Sequence, residues 1–216
     1  MGHKYGLKDI EDEALTRLKL AFPDQLHALG DPHNASLSKR DRKFTCSPAR
    51  MVLHTHDAIA AINLARTFNI SSILPCAFYI CSRLPMEILL TGVSNPRGPR
   101  SVLSKADLTR CLNGLLELSS RYGLMMQTLW LEVSEEDCED PEGCREQALD
   151  NHFREEHYPN EADALGSCLV RPHCIVPHAS DGICQECIGR MENLWADFRF
   201  DTWKDLGKIF DLGNKR

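Results

Sequence analysis

Two close cysteine pairs in the second half of the chain constrain its fold more than any other feature. Five residues separate Cys138 from Cys144, and two residues separate Cys184 from Cys187. If the fold brings the pairs together, they supply the four thiolates of a tetrahedral zinc site. Four protein ligands leave no coordination position open for water, so we expect a structural zinc ion and no catalytic residues.

The spacing leaves other interpretations open. The gap of 39 residues between the pairs exceeds that of compact zinc fingers, so the four cysteines can also be separate reduced thiols. Cys184 and Cys187 alone match a redox C-x-x-C motif, although no strand–helix pattern of the thioredoxin kind precedes them. A second group of possible zinc ligands comprises Cys168, His173, Cys174 and His178.

The segment His54-Thr55-His56-Asp57 contains an H-x-H pattern, which on a strand directs both rings to the same side. We place it in a helix over Pro48–Phe68, where residues two apart diverge by about 200°. We therefore interpret both histidines as core or surface residues.

Charge is distributed unevenly along the chain. The net charge is −6, and residues 132–163 alone carry −11. A phosphate backbone would be repelled by this segment, and no basic, aromatic stripe offsets it, so we predict no nucleic-acid partner. The longest apolar stretch, Ile73–Cys81, is too short to span a bilayer, and the start lacks a secretory signal. We expect no membrane association and an intracellular location, cytoplasm or nucleus, where cysteines stay reduced.

Apolar residues recur mainly at helical spacing, so the predicted fold is mainly α, an irregular helical bundle with a Cys-rich, zinc-clamped C-terminal part. Cys76, Cys81 and Cys111 stand among apolar residues and are expected to be buried. The predicted helices cover Lys8–Ala21, Pro48–Phe68, a segment from Pro75, a leucine-rich segment after Ser104, a segment from Glu142 to about His157, and two short helices within Gln185–Asp211.

The leucine-rich helix has a recognisable start and an uncertain end. Ser104-x-x-Asp107 resembles a capping box, with Asp in place of the usual Glu or Gln. The helical pattern breaks near Gly123, and the residues Leu124–Val133 either prolong the helix or form a short strand. Further along, Trp195 and Trp203 lie eight residues apart, and we interpret them as core residues of the last helices.

Several segments together resemble a known family. Lys4-Tyr5-Gly6-Leu7 with Ala21-Phe22-Pro23 is similar to the last helix of a BTB/POZ domain and its exit. Ile73-Leu74-Pro75-Cys76-Ala77-Phe78-Tyr79, followed by the leucine-rich helix and both cysteine pairs, is similar to the region after the BTB core in basidiomycete fungal BTB proteins. The resemblance covers about Lys4 to Leu206 and does not include the BTB core itself.

The resemblance implies a non-enzymatic protein–protein interaction module whose partner is a protein of unknown identity. Without the core, it offers no support for BTB-type dimerisation or cullin binding. We expect residues 1–28 to resemble the end of a BTB domain, 44–134 to form a helical bundle, and the acidic, Cys-rich region 135–212 to pack on it as one unit. Two alternatives stay open: a zinc- or thiol-dependent enzyme using Cys168–Cys187 with Glu186 as general base, or a truncated fragment without independent function.

Overall fold

The computed structural model of the protein describes residues 8–29, 43–46, 51–94, 98–131, 138–153 and 182–213. Helices dominate these ranges, and a cysteine cluster lies near the C-terminal end, which confirms the mainly α prediction. The α-helices, in chain order, are α1 (Lys8–Ala21), α2 (Asp57–Phe68), α3 (Leu74–Ser82), α4 (Met86–Thr91), α5 (Lys105–Leu131), α6 (Pro141–Phe153) and α7 (Gln185–Ile209).

One antiparallel hairpin accompanies the helices in the described part of the chain. Strand β1 (Lys43–Cys46) pairs with β2 (Met51–His54), so that Lys43 lies opposite His54 and Cys46 opposite Met51. Two short 3₁₀ helices cover Leu26–Leu29 and Ser71–Ile73.

The hairpin corrects the prediction of a helix over Pro48–Phe68, because α2 begins only at Asp57. The backbone N–H of His54 donates to the Asp57 carboxylate at 2.8 Å, which holds the end of β2 against the start of α2. Short apolar runs do not distinguish a strand from a helix, and here the partner strand decides. The predicted end of the helix was right, since Asn69 terminates it in the left-handed conformation with φ of 56°.

Two long helices are also less interrupted than predicted. The leucine-rich helix does not break at Gly123, because α5 continues to Leu131 and thus resolves the choice between helix and strand. The segment predicted to form two short helices within Gln185–Asp211 forms one helix, α7. Isolated glycines weaken a helix by about 1 kcal/mol, which packing along its length outweighs. The helix predicted from Pro75 is α3, which starts one residue earlier, at Leu74, with Pro75 in its first turn.

The chain divides into two compact units, residues 1–114 with 206–216 and residues 115–205. In the first unit the core forms around α3, in which every residue from Cys76 to Ser82 is buried. The Phe78 ring lies 5.5 Å from that of Phe210, centroid to centroid. Cys76, Cys81 and Cys111 are fully buried, as predicted.

A buried carboxylate also belongs to the first unit. Asp107 is 4% exposed and accepts hydrogen bonds from Arg66 at 2.8 Å and from Arg110 at 3.4 Å. Ser104 accepts the N–H of Asp107 at 3.1 Å, so the predicted cap at the start of α5 is present. The ion pairs with Arg66 were not predicted, since they join residues 41 apart in the chain.

The second unit contains the C-terminal part of α5, the helix α6 and most of α7. Its core includes Leu118 and Leu129 from α5 and Ala148 from α6. Trp195 is 2% and Trp203 is 9% exposed, which confirms that both are core residues. Arg121 of α5 pairs with Asp205 of α7 at 3.1 Å, and this bond connects the two long helices within the unit.

Candidate metal centre

The four cysteines of the two predicted pairs all lie at the starts of helices in the second unit. Cys138 precedes α6, and Cys144 lies in the first turns of that helix. Cys184 immediately precedes α7, and Cys187 lies in the first turn. The two pairs are thus presented by two helix N-termini, which favour negatively charged ligands.

The fold brings the two pairs together. The Sγ atoms of Cys138 and Cys144 are 3.6 Å apart, and those of Cys138 and Cys184 are 3.7 Å apart. With Cys187 included, all four sulfurs lie within 4.8 Å of one another. Among the described residues, this is the one group of three or more Cys, His, Asp or Glu side chains close enough to share a metal ion.

Asp140 orders the short loop that carries the first pair. Its carboxylate accepts the backbone N–H of Gly143 at 2.9 Å, and its carbonyl accepts that of Cys144 at 3.0 Å. Asp140 is therefore the N-cap of α6, followed by Pro141 at the first helical position. The cap places Cys144 one turn into the helix, facing back towards Cys138.

Gly182 forms the turn that leads into the second cysteine pair, Cys184 and Cys187. It adopts a φ of +80°, in the left-handed region that favours glycine, and the side chain of Gln147 from α6 lies against it. The next residue, Ile183, is 4% exposed and anchors the chain before Cys184. The turn predicted at Asp181-Gly182 is present at Gly182, while Asp181 lies outside the described residues.

Hydrogen bonds and burial give the four thiols unequal acidities. A backbone N–H donated by Cys187 lowers the pKa of Cys184 below its usual value. Burial raises the pKa of Cys144 and, more strongly, that of Cys187. Four thiolates this close repel one another, and a divalent cation between them would remove that repulsion.

The backbone also contributes to the centre. The N–H of Cys184 donates to the Sγ of Cys144 at 3.4 Å, which connects the two pairs directly. Hydrogen bonds to ligand atoms of this kind orient ligands around a metal.

Two further predictions concern ligands and a general base near this centre. Cys168, His173, Cys174 and His178 lie outside the described residues. Glu186, the general base of the enzyme alternative, is exposed.

The H-x-H pattern was predicted to lie in a helix, and this was wrong. His54 is the last residue of β2, and His56 lies in the following turn. The two rings stack with centroids 5.0 Å apart and an interplanar angle of 12°. Ring nitrogens bind metals in the plane of the ring, so stacked rings do not converge on one ion. Both histidines are half-buried.

Comparisons with known proteins assign no family. No family model matches the chain, and neither a curated protein nor a solved structure is found to be similar to it. The resemblance to the region after the BTB core therefore stays a prediction. Within the described ranges, every helix is too short or too polar to cross a bilayer.

Proposed function

We propose that the protein is a non-enzymatic protein–protein interaction module stabilised by one structural zinc ion. Cys138, Cys144, Cys184 and Cys187 are the zinc ligands. The observation that carries the proposal is the approach of their four sulfurs to within 4.8 Å of one another, although the two pairs lie far apart in the chain.

The sulfur spacing supports zinc. A zinc–sulfur bond of about 2.3 Å in a regular tetrahedron places its sulfurs about 3.8 Å apart. The separations of Cys138 from Cys144 and from Cys184, 3.6 and 3.7 Å, match that edge length. The longest separation, up to 4.8 Å, needs a contraction of about 1 Å, which rotation of a cysteine side chain provides.

The ligand set supports a structural role. Catalytic zinc sites use three protein ligands and keep one position for water or substrate, whereas four cysteines complete the tetrahedron. Cys144 and Cys187 are 4% and 2% exposed, so half of the ligand set is shielded from solvent. The ion would join the starts of α6 and α7, neither of which has another covalent constraint among the described residues.

Exposed apolar side chains support the interaction role. Met86 and Leu90 of α4 lie one turn apart and are 49% and 60% exposed. Leu64 and Phe68 form an equivalent exposed pair on α2. Side chains three or four residues apart share one face of a helix, so each pair presents an apolar surface that a partner protein can cover.

Metal analysis tests the zinc site. The protein, expressed with zinc and purified without chelator, is expected to contain about one zinc per chain by elemental analysis and native mass spectrometry. Cys138→Ser should lose the metal, whereas Cys76→Ala, at a buried cysteine of the first unit, should keep it. A wild-type chain without metal after zinc reconstitution would contradict the site.

Cobalt substitution separates a structural from a catalytic ion. With four thiolate ligands, Co²⁺ gives the intense visible absorption of a tetrahedral site, together with sulfur-to-cobalt charge transfer. A five-coordinate spectrum that changes when small anions are added would favour the enzyme alternative.

Paired variants test the interaction role. The proteins recovered with the tagged chain from cells should be lost with Met86→Glu/Leu90→Glu. They should be retained with Leu116→Glu, which replaces a single exposed leucine of the second unit that is 70% exposed. Recovery of the same proteins with both variants would contradict a partner surface on α4.

A further inference from the structure

We infer that Cys138 and Cys184 form an oxidation site of the metal centre, at which hydrogen peroxide joins them in a disulfide and releases the zinc. The inference rests on the proposed zinc site and concerns its regulation. Its basis is the unequal exposure of the four ligands. Cys144 and Cys187 are buried, whereas Cys138 and Cys184 are half-buried and accessible to a small oxidant.

The same two cysteines are close and outside helices. Their Sγ atoms are 3.7 Å apart and must approach by less than about 2 Å to reach the length of a disulfide bond. Cys138 lies in the loop before α6, and Cys184 precedes the first residue of α7. Their side chains can therefore rotate towards each other from outside the helical turns, whereas Cys144 and Cys187 lie inside the first turns of their helices.

The chemistry balances with peroxide as the oxidant. One thiolate attacks a peroxide oxygen, the O–O bond breaks, and a hydroxide ion leaves, which yields a sulfenic acid. The second thiolate attacks that sulfur, the S–S bond forms, and a second hydroxide leaves. Two thiolates have lost two electrons, and peroxide has become two hydroxide ions that take up protons from the solvent.

The reaction removes half of the ligand set. Cys144 and Cys187 remain, and two thiolates no longer complete the tetrahedron that holds a structural zinc ion. A dithiol reductant breaks the S–S bond and regenerates both thiolates, so reduction in the presence of zinc restores the centre.

The surrounding charge selects the class of oxidant. Glu139, Asp140, Glu142 and Glu186 are exposed acidic side chains beside the ligands in sequence, against the single base Arg145. Such a surface repels anionic oxidants such as glutathione disulfide and leaves the neutral peroxide unaffected. Peroxide should therefore release zinc faster than glutathione disulfide, and this difference should shrink at high salt.

Peroxide titration of the zinc-loaded full chain tests the inference. A chromogenic chelator follows the released zinc, while alkylation and peptide mass spectrometry identify the disulfide. We expect one zinc lost per chain in parallel with a Cys138–Cys184 disulfide, and recovery of both on adding dithiothreitol and zinc. Cys81 and Cys111, buried in the first unit, should remain reduced and serve as internal controls.

A ligand exchange supplies the matched variant. Cys138→His converts the set to three cysteines and one histidine, a common zinc set, and removes the sulfur that the disulfide needs. With or without bound zinc, peroxide should leave Cys184 of this variant as a sulfenic acid that dimedone labels, because its remaining accessible thiolate has no accessible partner. The wild type should form the disulfide and show little labelling.

Failure of the oxidation site and failure of the zinc site give different results. Retention of zinc under peroxide, equal dimedone labelling of Cys184 in the wild type and in Cys138→His, or a disulfide between Cys144 and Cys187 would overturn the oxidation site and leave the zinc site standing. A chain that never binds zinc would instead overturn the proposed function. Disulfide mapping of that metal-free chain would still decide whether Cys138 pairs with Cys184.

Discussion

The backbone N–H of Cys184 donates to the Sγ of Cys144 across 3.4 Å, although the two residues are 40 positions apart in the chain. This bond connects the residue before α7 to the first turns of α6, and it is made by protein atoms alone. The centre is therefore partly assembled by the protein itself. A preorganised ligand set loses less conformational entropy when the ion binds.

Removing the metal should loosen the starts of α6 and α7 without unfolding the first unit. Chelation is expected to lower the melting temperature of the second unit and to speed amide hydrogen exchange at Cys144 and Cys184 most strongly, because their anchoring ion is gone. Hydrogen–deuterium exchange with and without chelator measures this. Equal acceleration at the buried residues of α3 would contradict a local effect.

Zinc affinity should fall as the pH falls. Burial raises the pKa of Cys144 and of Cys187, so these thiols hold their protons at neutral pH in the metal-free protein. Zinc must displace those protons, and each displaced proton makes the apparent affinity change about tenfold per pH unit. Competition with a chromogenic chelator over a pH series checks the slope, and a pH-independent affinity would be inconsistent with thiolate ligands.

Asp140→Ala should destabilise the start of α6, which carries Cys144, by removing the N-cap of the helix. The expected loss is about 1 kcal/mol in the free energy of unfolding, with weaker zinc binding, since the cap positions Cys144. Asp140→Asn should retain most of the stability because its side-chain oxygen still accepts the Gly143 N–H. Glu142→Ala, in the exposed first turn, is the control. Chemical denaturation measures all three, and equal losses for Ala and Asn would argue against capping.

Asp107→Ala should be among the more damaging polar substitutions in the first unit. It removes a buried carboxylate that Arg66 and Arg110 share, and a lost charged hydrogen bond amounts to roughly 1.5–3 kcal/mol. The control is Glu117→Ala, which removes an exposed partner of Arg121 and should change stability by less than about 1 kcal/mol. Similar values for both variants would show that the burial of Asp107 is unimportant.

Two glycines of α5 should respond to alanine with opposite signs. A Cβ at Gly114 would overlap the ring of Phe210, whereas one at Gly123 meets nothing within 4 Å. Gly114→Ala should therefore destabilise by about 1–3 kcal/mol through overpacking. Gly123→Ala should stabilise by up to about 1 kcal/mol through helix propensity. Thermal unfolding of both variants measures the difference, and a shift of the same sign would refute the packing at Phe210.

Local sequence patterns determined the fold class, the starts of two helices and the candidate metal ligands. The apolar periodicity predicted a mainly α fold, Pro75 marked the start of α3, and Ser104-x-x-Asp107 marked that of α5. These features involve residues within one or two turns, and short-range sterics and hydrogen bonds act at that distance. The cysteine spacing likewise identified the candidate ligands, since close cysteine pairs of this kind are typical of zinc sites.

The tertiary structure decided which distant residues meet. The segment Met51–His54 is a strand because it pairs with β1. Asp107 accepts a hydrogen bond from Arg66, which lies 41 positions earlier in the chain. The fold likewise brought Cys138 to Cys184, which lies 46 positions later in the chain. Such contacts depend on how helices pack over the whole chain, and packing energies are collective, whereas helix periodicity is encoded locally. The sequence thus identified the four candidate ligands, and only the tertiary structure showed that they lie together.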